Sequence, residues 1–164
     1  MKKNIHLFIL YLSIAFILCT SCSKDEVDSI PPASVTGVKV TADYGALVFK
    51  WKNPADKDLY YVDIAFVDPN GNPRSVKTSS YADSTTIQGF SDNKEITFNI
   101  TAHDKDGNAS TSYVVKAAPK LPAFKVMLDQ ITMTPDFGGA QIEWDNTTNK
   151  PFNVNIKYKG NDGS

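Results

Sequence analysis

The residues that could do chemistry are few, and the first are two cysteines three positions apart. Cys19 and Cys22 end an apolar run that begins after Lys2 and Lys3. This spacing is typical of redox and metal sites, but here it follows the charged start and apolar stretch of an export signal. As a helix, residues 5–18 would reach about 21 Å, against a hydrocarbon core of about 30 Å, which favours a cleaved signal over a membrane span.

The residues around Cys22 resemble a bacterial lipobox, with the small residues Thr20 and Ser21 just before the cysteine. That resemblance implies a lipoprotein signal peptide over residues 1–21 and a diacylglycerol on the sulfur of Cys22. Two or three acyl chains, at about 0.8 kcal/mol per buried methylene, would hold the chain stably on a membrane. Cys19 would leave with the signal peptide, so no disulfide and no cysteine metal site is expected. The alternative is an N-terminal cysteine with a free thiol.

The segment 22–33 is polar and acidic and ends in Pro31 and Pro32, which predicts an extended tether that does not pack. Its residues 24–26, Lys-Asp-Glu, resemble the signal that sends Bacteroidetes-type lipoproteins to the outside of the outer membrane. A generic solvated linker is the alternative. Without residues 1–21 the chain has more acidic than basic groups, so no nucleic-acid partner is expected.

Catalytic groups do not converge in this sequence. His103, the single histidine after the predicted signal peptide, lies beside Asp104, and no serine or cysteine is placed to act as a nucleophile with it. We therefore expect that the protein is not an enzyme and that it binds no cofactor. Residues 104–110 have acids at alternate positions, like the start of a calcium loop, but Val115 stands where an EF-hand has Glu. A hairpin turn with left-handed Gly107 and Asn108 is favoured; Ca²⁺ on Asp104 and Asp106 is the alternative.

Two aromatic residues could contact a sugar. Tyr61 and Asp63 alternate outward from a predicted strand, and Tyr81 lies in the loop after the next one. A ring with a nearby carboxylate could stack on a ligand and hydrogen-bond to it. Packing or surface filling is the alternative.

Two serines match a bacterial O-glycosylation pattern of Asp, a hydroxyl residue, and an apolar residue or Thr. They are Ser84 after Asp83 and Ser29 after Asp28. The alternatives are a turn cap at Ser84 and a plain linker at Ser29.

The strands that position these residues are predicted from the alternation of apolar and polar residues. From Val35 to Ala117, apolar and polar residues alternate and turn signals recur, without sustained helical periodicity. Seven strands fit an all-β sandwich. They are predicted over SVTGVKVTA, GALVFKWK, LYYVDIAFV, residues 74–78, STTIQGF, EITFNITAHD and STSYVVKA. The predicted inward residues are Leu47, Phe49 and Trp51 in the second strand, Tyr60, Val62, Ile64 and Phe66 in the third, and Ile96, Phe98, Ile100 and Ala102 in the sixth.

The region from Pro32 to about Pro119 resembles a fibronectin type III domain. The resemblance rests on Trp51 in the second strand and on residues 87–110 around the sixth. Ile96 occupies the tyrosine-corner position and has no hydroxyl, so the domain is a divergent member. The resemblance implies a seven-stranded fibronectin type III or immunoglobulin-like sandwich over residues 34–119.

An internal repeat follows. TPDFGGAQIEWDN, residues 134–146, repeats TADYGALVFKWKN, residues 41–53, with a shift of 93. This predicts that residues 120–164 form about three strands of a second, incomplete sandwich. Such a half-sandwich would expose its inner face, so we expect the chain to be part of a longer protein. The predicted inner face consists of Val126, Ile142, Trp144, Phe152, Val154 and Ile156.

The combined segments CSKDE, VTGVKVTADYGALVFKWKNPADKDLYYVDIAF, VKTSSYADSTTIQGF and ITAHDKDGNAS resemble an uncharacterised Bacteroidetes-type surface lipoprotein family encoded near polysaccharide-utilisation loci. In that family a second sandwich and a discoidin-like galactose-binding domain follow the first domain, and the latter is not in this sequence. The resemblance implies a noncatalytic, lipid-anchored scaffold on the outer membrane, facing the exterior, that supports glycan binding or uptake beside a TonB-dependent complex. The alternative is a carbohydrate- or protein-binding adhesin that uses its own sandwich surface.

Overall fold

The computed structural model describes residues 28–151 and 153–157. The predictions for the signal peptide, for Cys22 and for the first part of the tether fall outside these residues, as does Phe152. No helix among the described residues is long and apolar enough to cross a membrane.

Seven strands form two antiparallel sheets that pack face to face, which confirms the predicted all-β sandwich. One sheet has the order β1-β2-β5 and the other the order β4-β3-β6-β7. The strands are β1 Thr36–Asp43, β2 Ala46–Lys52, β3 Leu59–Val67, β4 Pro73–Ser79, β5 Ser84–Gln88, β6 Ile96–Asp104 and β7 Tyr113–Ala117.

The core between the sheets follows the predicted period of two along β2 and β6. Leu47, Phe49 and Trp51 are buried from β2, and Ile96, Phe98, Ile100 and Ala102 from β6. The ring of Phe98 lies at the centre, with its centroid 4.9 Å from that of Phe49 and 5.0 Å from that of Phe66. Burying each such ring stabilises the fold by about 1.5–3 kcal/mol.

Strand β3 departs from the prediction at its start. Val62, Ile64 and Phe66 are buried as expected, but Leu59 is buried instead of Tyr60, and Tyr60 is 59% exposed. The pairing of β3 with β6 shifts register between Leu59 and Tyr61. An extra residue at such a β-bulge reverses the inward and outward positions beyond it. The prediction that Tyr60 faces inward is therefore wrong.

The last part of the predicted tether is docked on the sandwich. The Asn108 amide Nδ2 donates a 2.8 Å hydrogen bond to the carbonyl of Asp28. The backbone N–H of Ala33 donates to Oδ2 of Asp56 at 3.1 Å. Pro32 is buried. The expectation that this segment does not pack is wrong at Asp28, Pro32 and Ala33, which find partners on the domain, while residues 29–31 are exposed.

Beyond β7 the chain forms a short helix, α1 (Ala123–Leu128), and a hairpin of β8 (Thr132–Asp136) and β9 (Gly139–Glu143). Val126 lies in α1, so its predicted strand position is wrong. Ala123, Lys125, Met127 and Leu128 are good helix formers. The carbonyl of Pro122 accepts hydrogen bonds from the N–H groups of Lys125 and Val126. Residues 153–157 form no strand. Two of the roughly three predicted strands are thus present among the described residues.

The two hairpins of the predicted repeat turn with the same local geometry. Gly45, between β1 and β2, has φ of 63°, and Gly138, between β8 and β9, has φ of 73°. In each turn an aspartate Oδ1 accepts the next backbone N–H. These bonds are 2.8 Å from Tyr44 to Asp43 and 2.7 Å from Phe137 to Asp136. Much of the predicted inner face of the second unit is exposed, including Trp144, Val154 and Ile156.

Candidate functional site

Tyr61 lies on the outer face of the four-stranded sheet, but its ring is already covered. The ring stacks on His103, with centroids 4.6 Å apart and planes 12° apart. The Lys77 Nζ lies 4.6 Å from the Tyr61 centroid. Because β3 runs between the strands that carry His103 and Lys77, the two groups flank the ring from opposite sides. Tyr61 therefore has a packing role on this face, and so does His103.

Asp63 also lies on this face, two residues after Tyr61 in β3. It accepts a 2.6 Å hydrogen bond from the hydroxyl of Ser75 and stands opposite Lys77 in the β3–β4 pairing. These neighbours belong to a polar network across the sheet. Neither Tyr61 nor Asp63 lines the cleft that contains Tyr81, so the structure does not bring the three predicted contact residues together.

Tyr81 instead shares a cleft with Tyr60 at one end of the sandwich. The Tyr81 side chain is fully exposed. The cleft has a volume of about 380 Å³ and lies among the β2–β3 loop, the β4–β5 loop and the turn after β6. Its lining includes Asn53, Asp56, Lys57, Tyr60, Tyr81 and Lys105. We call it the Tyr60–Tyr81 cleft. Two exposed rings and several polar groups of this kind can hold a small polar ligand.

The loop that carries Tyr81 is fixed by Asn53. The Trp51 indole Nε1 donates to Oδ1 of Asn53 at 2.6 Å. The Asn53 amide then donates to the carbonyls of Ser80 and Ala82, each at 2.9 Å. Both N–H groups of the Asn53 amide and one lone pair of its Oδ1 are therefore used, which leaves one lone pair. Sequence reasoning missed Asn53, although the Trp-x-Asn pattern recurs at Trp144 and was a usable signal.

The other wall of the cleft is braced by aromatic packing. The ring of Tyr60 meets the edge of Tyr61 at a centroid distance of 5.7 Å and an angle of 71°. Its backbone carbonyl accepts a 3.1 Å hydrogen bond from the N–H of Ser80. Tyr61, itself held by His103, thus positions Tyr60. Strict alternation along β3 concealed Tyr60, because only the bulge turns it outward.

Three carboxylates gather near the cleft. Oxygens of Asp28, Asp58 and Asp106 all lie within 4.8 Å of one another, at a spacing that a cation could bridge. The predicted calcium pair of Asp104 and Asp106 is not what the fold assembles, because Asp104 is buried and bonded to Asn108. Exposed aspartates at this spacing are common without an ion.

The favoured hairpin turn after β6 is confirmed, with one correction. Gly107 has the left-handed φ of 92°, but Asn108 does not adopt a positive φ. Its backbone N–H and its amide instead donate to the Asp104 carboxylate, both at 2.8 Å. Desolvation raises the pKa of Asp104, but these bonds and those from the N–H groups of Asp106 and Gly107 outweigh it and leave the pKa below its ordinary value.

The two predicted glycosylation serines differ in exposure. Ser29 is exposed in the irregular segment before β1. Ser84 is half-buried and is the first residue of β5, an edge strand of its sheet. Modification at either serine stays a prediction.

Comparison with known proteins identifies the first domain. Residues 32–119, more than half of the chain, match the family model described as Domain of unknown function (DUF4959). The chain belongs to this family. None of the curated proteins searched matches this DUF4959 chain.

Solved structures show what fold this DUF4959 domain has. A segment of two fibronectin type III domains from chicken tenascin matches with a TM-score of 0.52 and 16% identity, over 67% of this chain and 61% of that one. The chicken CNTN1 FN1–FN3 domains match with a TM-score of 0.49 and 15% identity, over 55% of this chain. The chain spans only 32% of the CNTN1 structure. At such identities the likeness concerns the fold alone, and the tenascin match confirms the predicted fibronectin type III-like sandwich.

Proposed function

We propose that this chain is a noncatalytic, lipid-anchored spacer on the outside of a bacterial outer membrane, which supports glycan binding or uptake beside a TonB-dependent complex. The observation that carries the proposal is that the chain enters the first sandwich at one end and leaves at the other. Asp28 lies beside Asp58 and Asp106, where β3 begins and β6 ends. Ala117, the last residue of β7, pairs with Ile96 at the opposite end of β6.

This path makes the domain a rod between its two attachments. Strand β3 has 9 residues, which at about 3.3 Å per residue separates the two ends by about 30 Å. A chain lipidated shortly before Asp28 would therefore hold whatever follows β7 well clear of the bilayer surface. The charged start and apolar run of residues 2–18 and the lipobox at Cys22 support the anchor.

The exit from the rod is held in a defined direction. The N–H of Gly45 donates to the carbonyl of Lys120 at 2.9 Å, and the N–H of Lys120 donates to the carbonyl of Asp43 at 3.0 Å. The Lys150 ammonium forms a 2.7 Å ion pair with Asp43. These contacts join the first sandwich to the segment after it. A spacer that sets the direction of the chain beyond it requires contacts of this kind.

The anchor is tested with the full-length chain in a Gram-negative host. We expect radiolabelled palmitate on the wild type and none on Cys22→Ala, with the wild type in the membrane fraction. Cys19→Ala is the matched control and should be labelled normally. Labelling that survives Cys22→Ala would contradict the proposal. Protease treatment of intact cells then tests exterior display.

A second function, binding by the sandwich itself, is favoured by one observation. The Tyr60–Tyr81 cleft places two exposed aromatic rings beside Lys57 and Lys105. Pure spacing does not require such an arrangement.

A further inference from the structure

We propose that the Tyr60–Tyr81 cleft binds an anionic oligosaccharide, in which the tyrosine rings pack on the sugar and the two lysines contact its carboxylate or sulfate groups. This goes beyond the spacer role and does not depend on the lipid anchor. It assigns a ligand class to a site on the first domain itself.

The tyrosines supply the apolar part of the site. Tyr81 is fully exposed and Tyr60 is 59% exposed, while Phe49, Phe66 and Phe98 of the same domain are buried. A sugar ring has an apolar face of C–H groups, and an aromatic ring offers a large apolar surface with a polar tip. Two such rings on one cleft suit a ligand with alternating apolar faces and polar edges.

The lysines supply the charge. Lys57 and Lys105 both line the cleft, and among residues 28–151 and 153–157 neither forms an ion pair within 4.0 Å. Asp56 is the one acid in the lining, and its Oδ2 already accepts the N–H of Ala33. The carboxylates of Asp28, Asp58 and Asp106 lie nearby but outside the lining, so the charged groups that a bound ligand would meet directly are the two lysines and Asp56. The two lysines can therefore contact negatively charged groups of a ligand.

Both walls are held before any ligand arrives. Asn53 fixes the Tyr81 loop through the carbonyls of Ser80 and Ala82, and Tyr61 braces the ring of Tyr60. Backbone that is already ordered loses little entropy on binding, so a shallow cleft can still retain a ligand. This rigidity separates the cleft from an accidental surface depression.

The binding test uses the full chain, expressed from Met1 and purified in detergent, in affinity electrophoresis and calorimetry. The probes are polygalacturonate, alginate and chondroitin sulfate, with fully methyl-esterified polygalacturonate as the uncharged match. We expect retention by at least one anionic polymer, weakening with added salt because charge contacts are screened. If polygalacturonate binds, its methyl ester should bind at least about tenfold more weakly.

The variant test asks whether the cleft is the site. Tyr81→Ala should weaken binding about tenfold or more, and Tyr81→Phe should keep most of it. Replacing Lys57 and Lys105 together by Gln should remove the dependence on ligand charge. The matched controls are Tyr113→Ala on β7 and the double change of Lys39 and Lys50 to Gln on the other sheet, since each alters the same residue types elsewhere. Circular dichroism checks that every variant is folded.

Three results would overturn the proposal. The first is no binding to any of the three anionic polymers. The second is wild-type affinity in Tyr81→Ala, which would place the ligand elsewhere. The third is equal competition by polyglutamate or by phosphatidylglycerol vesicles, which would mean that the lysines attract any anion or a lipid surface. Because palmitate labelling is measured separately, a failed anchor and a failed cleft give different results.

Discussion

The Trp51 indole nitrogen lies 2.6 Å from Oδ1 of Asn53, and this contact joins the hydrophobic core to the loop that carries Tyr81. Trp51 is buried in the sandwich. Asn53 turns the other end of its amide toward two loop carbonyls. The position of an exposed loop is thereby set from inside the domain.

Asn53→Ala should lower the free energy of unfolding by about 1–3 kcal/mol, because a buried indole donor and two carbonyls lose their partner. Urea unfolding followed by Trp fluorescence measures the change. The matched control is Asn146→Ala at the equivalent position of the repeat, where the amide donates to the carbonyl of Lys150 and Oδ1 accepts from the hydroxyl of Thr148. We expect a smaller loss of about 1 kcal/mol or less there, because no buried indole loses its partner. Equal effects would contradict the difference between the two sites.

The bulge in β3 predicts opposite results for two adjacent residues. Leu59→Ala should cost about 2–5 kcal/mol, because it empties a buried site. Tyr60→Ala should cost about 1 kcal/mol or less, since that side chain is mostly exposed. Thermal and urea unfolding of the two variants distinguish the cases. A larger loss for Tyr60→Ala would restore the simple alternation and remove Tyr60 from the cleft.

The carboxylate of Asp104 predicts an acid-dependent loss of stability. Its pKa is lower folded than unfolded, so the stability it contributes is fully present above the unfolded pKa of about 3.9 and is lost as pH falls through the folded pKa. Removing the side-chain donor in Asn108→Ala should raise the folded pKa and move this loss to higher pH. Carboxyl NMR titration and urea unfolding between pH 2 and pH 6 measure both effects. Asn99→Ala, exposed on β6, is the control and should leave the titration of Asp104 unchanged.

Two equivalent glycines should respond differently to a methyl group. Both have positive φ, which is strained for alanine. At Gly45 the added Cβ would also lie 3.3 Å from the carbonyl oxygen of Phe90 and 3.5 Å from Pro122, while at Gly138 nothing lies within 4 Å. Each substitution should cost about 1 kcal/mol through strain, with an additional loss at Gly45. Hydrogen exchange of the two hairpins measures this loss. An equal loss at both glycines would mean that Phe90 and Pro122 move away from the added methyl group without cost.

Local patterns account for much of what could be predicted. The period of two along β2 and β6 identified Leu47, Phe49, Phe98 and their neighbours as core, because a sheet buried on one face requires that alternation. It failed at Tyr60, since a bulge depends on pairing with a distant strand. It also failed at Val126, where one short turn of helix leaves no periodic signal.

The candidate site was harder to predict because it is built from long-range pairings. Tyr61 was correctly placed on an outward face, yet its cover comes from His103, 42 residues away, through the β3–β6 register. The sequence alone could not show that Tyr81 would meet Tyr60 and Lys105, since three loops converge only when both sheets have formed. The Trp-x-Asn pattern was the one local sign of this site.

The Tyr44–Gly45 turn reverses the chain between β1 and β2 and meets the same chain again at Lys120, where it leaves the sandwich. The joint is therefore formed by backbone groups of this turn and of Lys120, which follows the last strand of the sandwich by three residues. Because backbone groups make both bonds, the joint depends on the length of the chain between β7 and Lys120 and not on the side chain at Lys120.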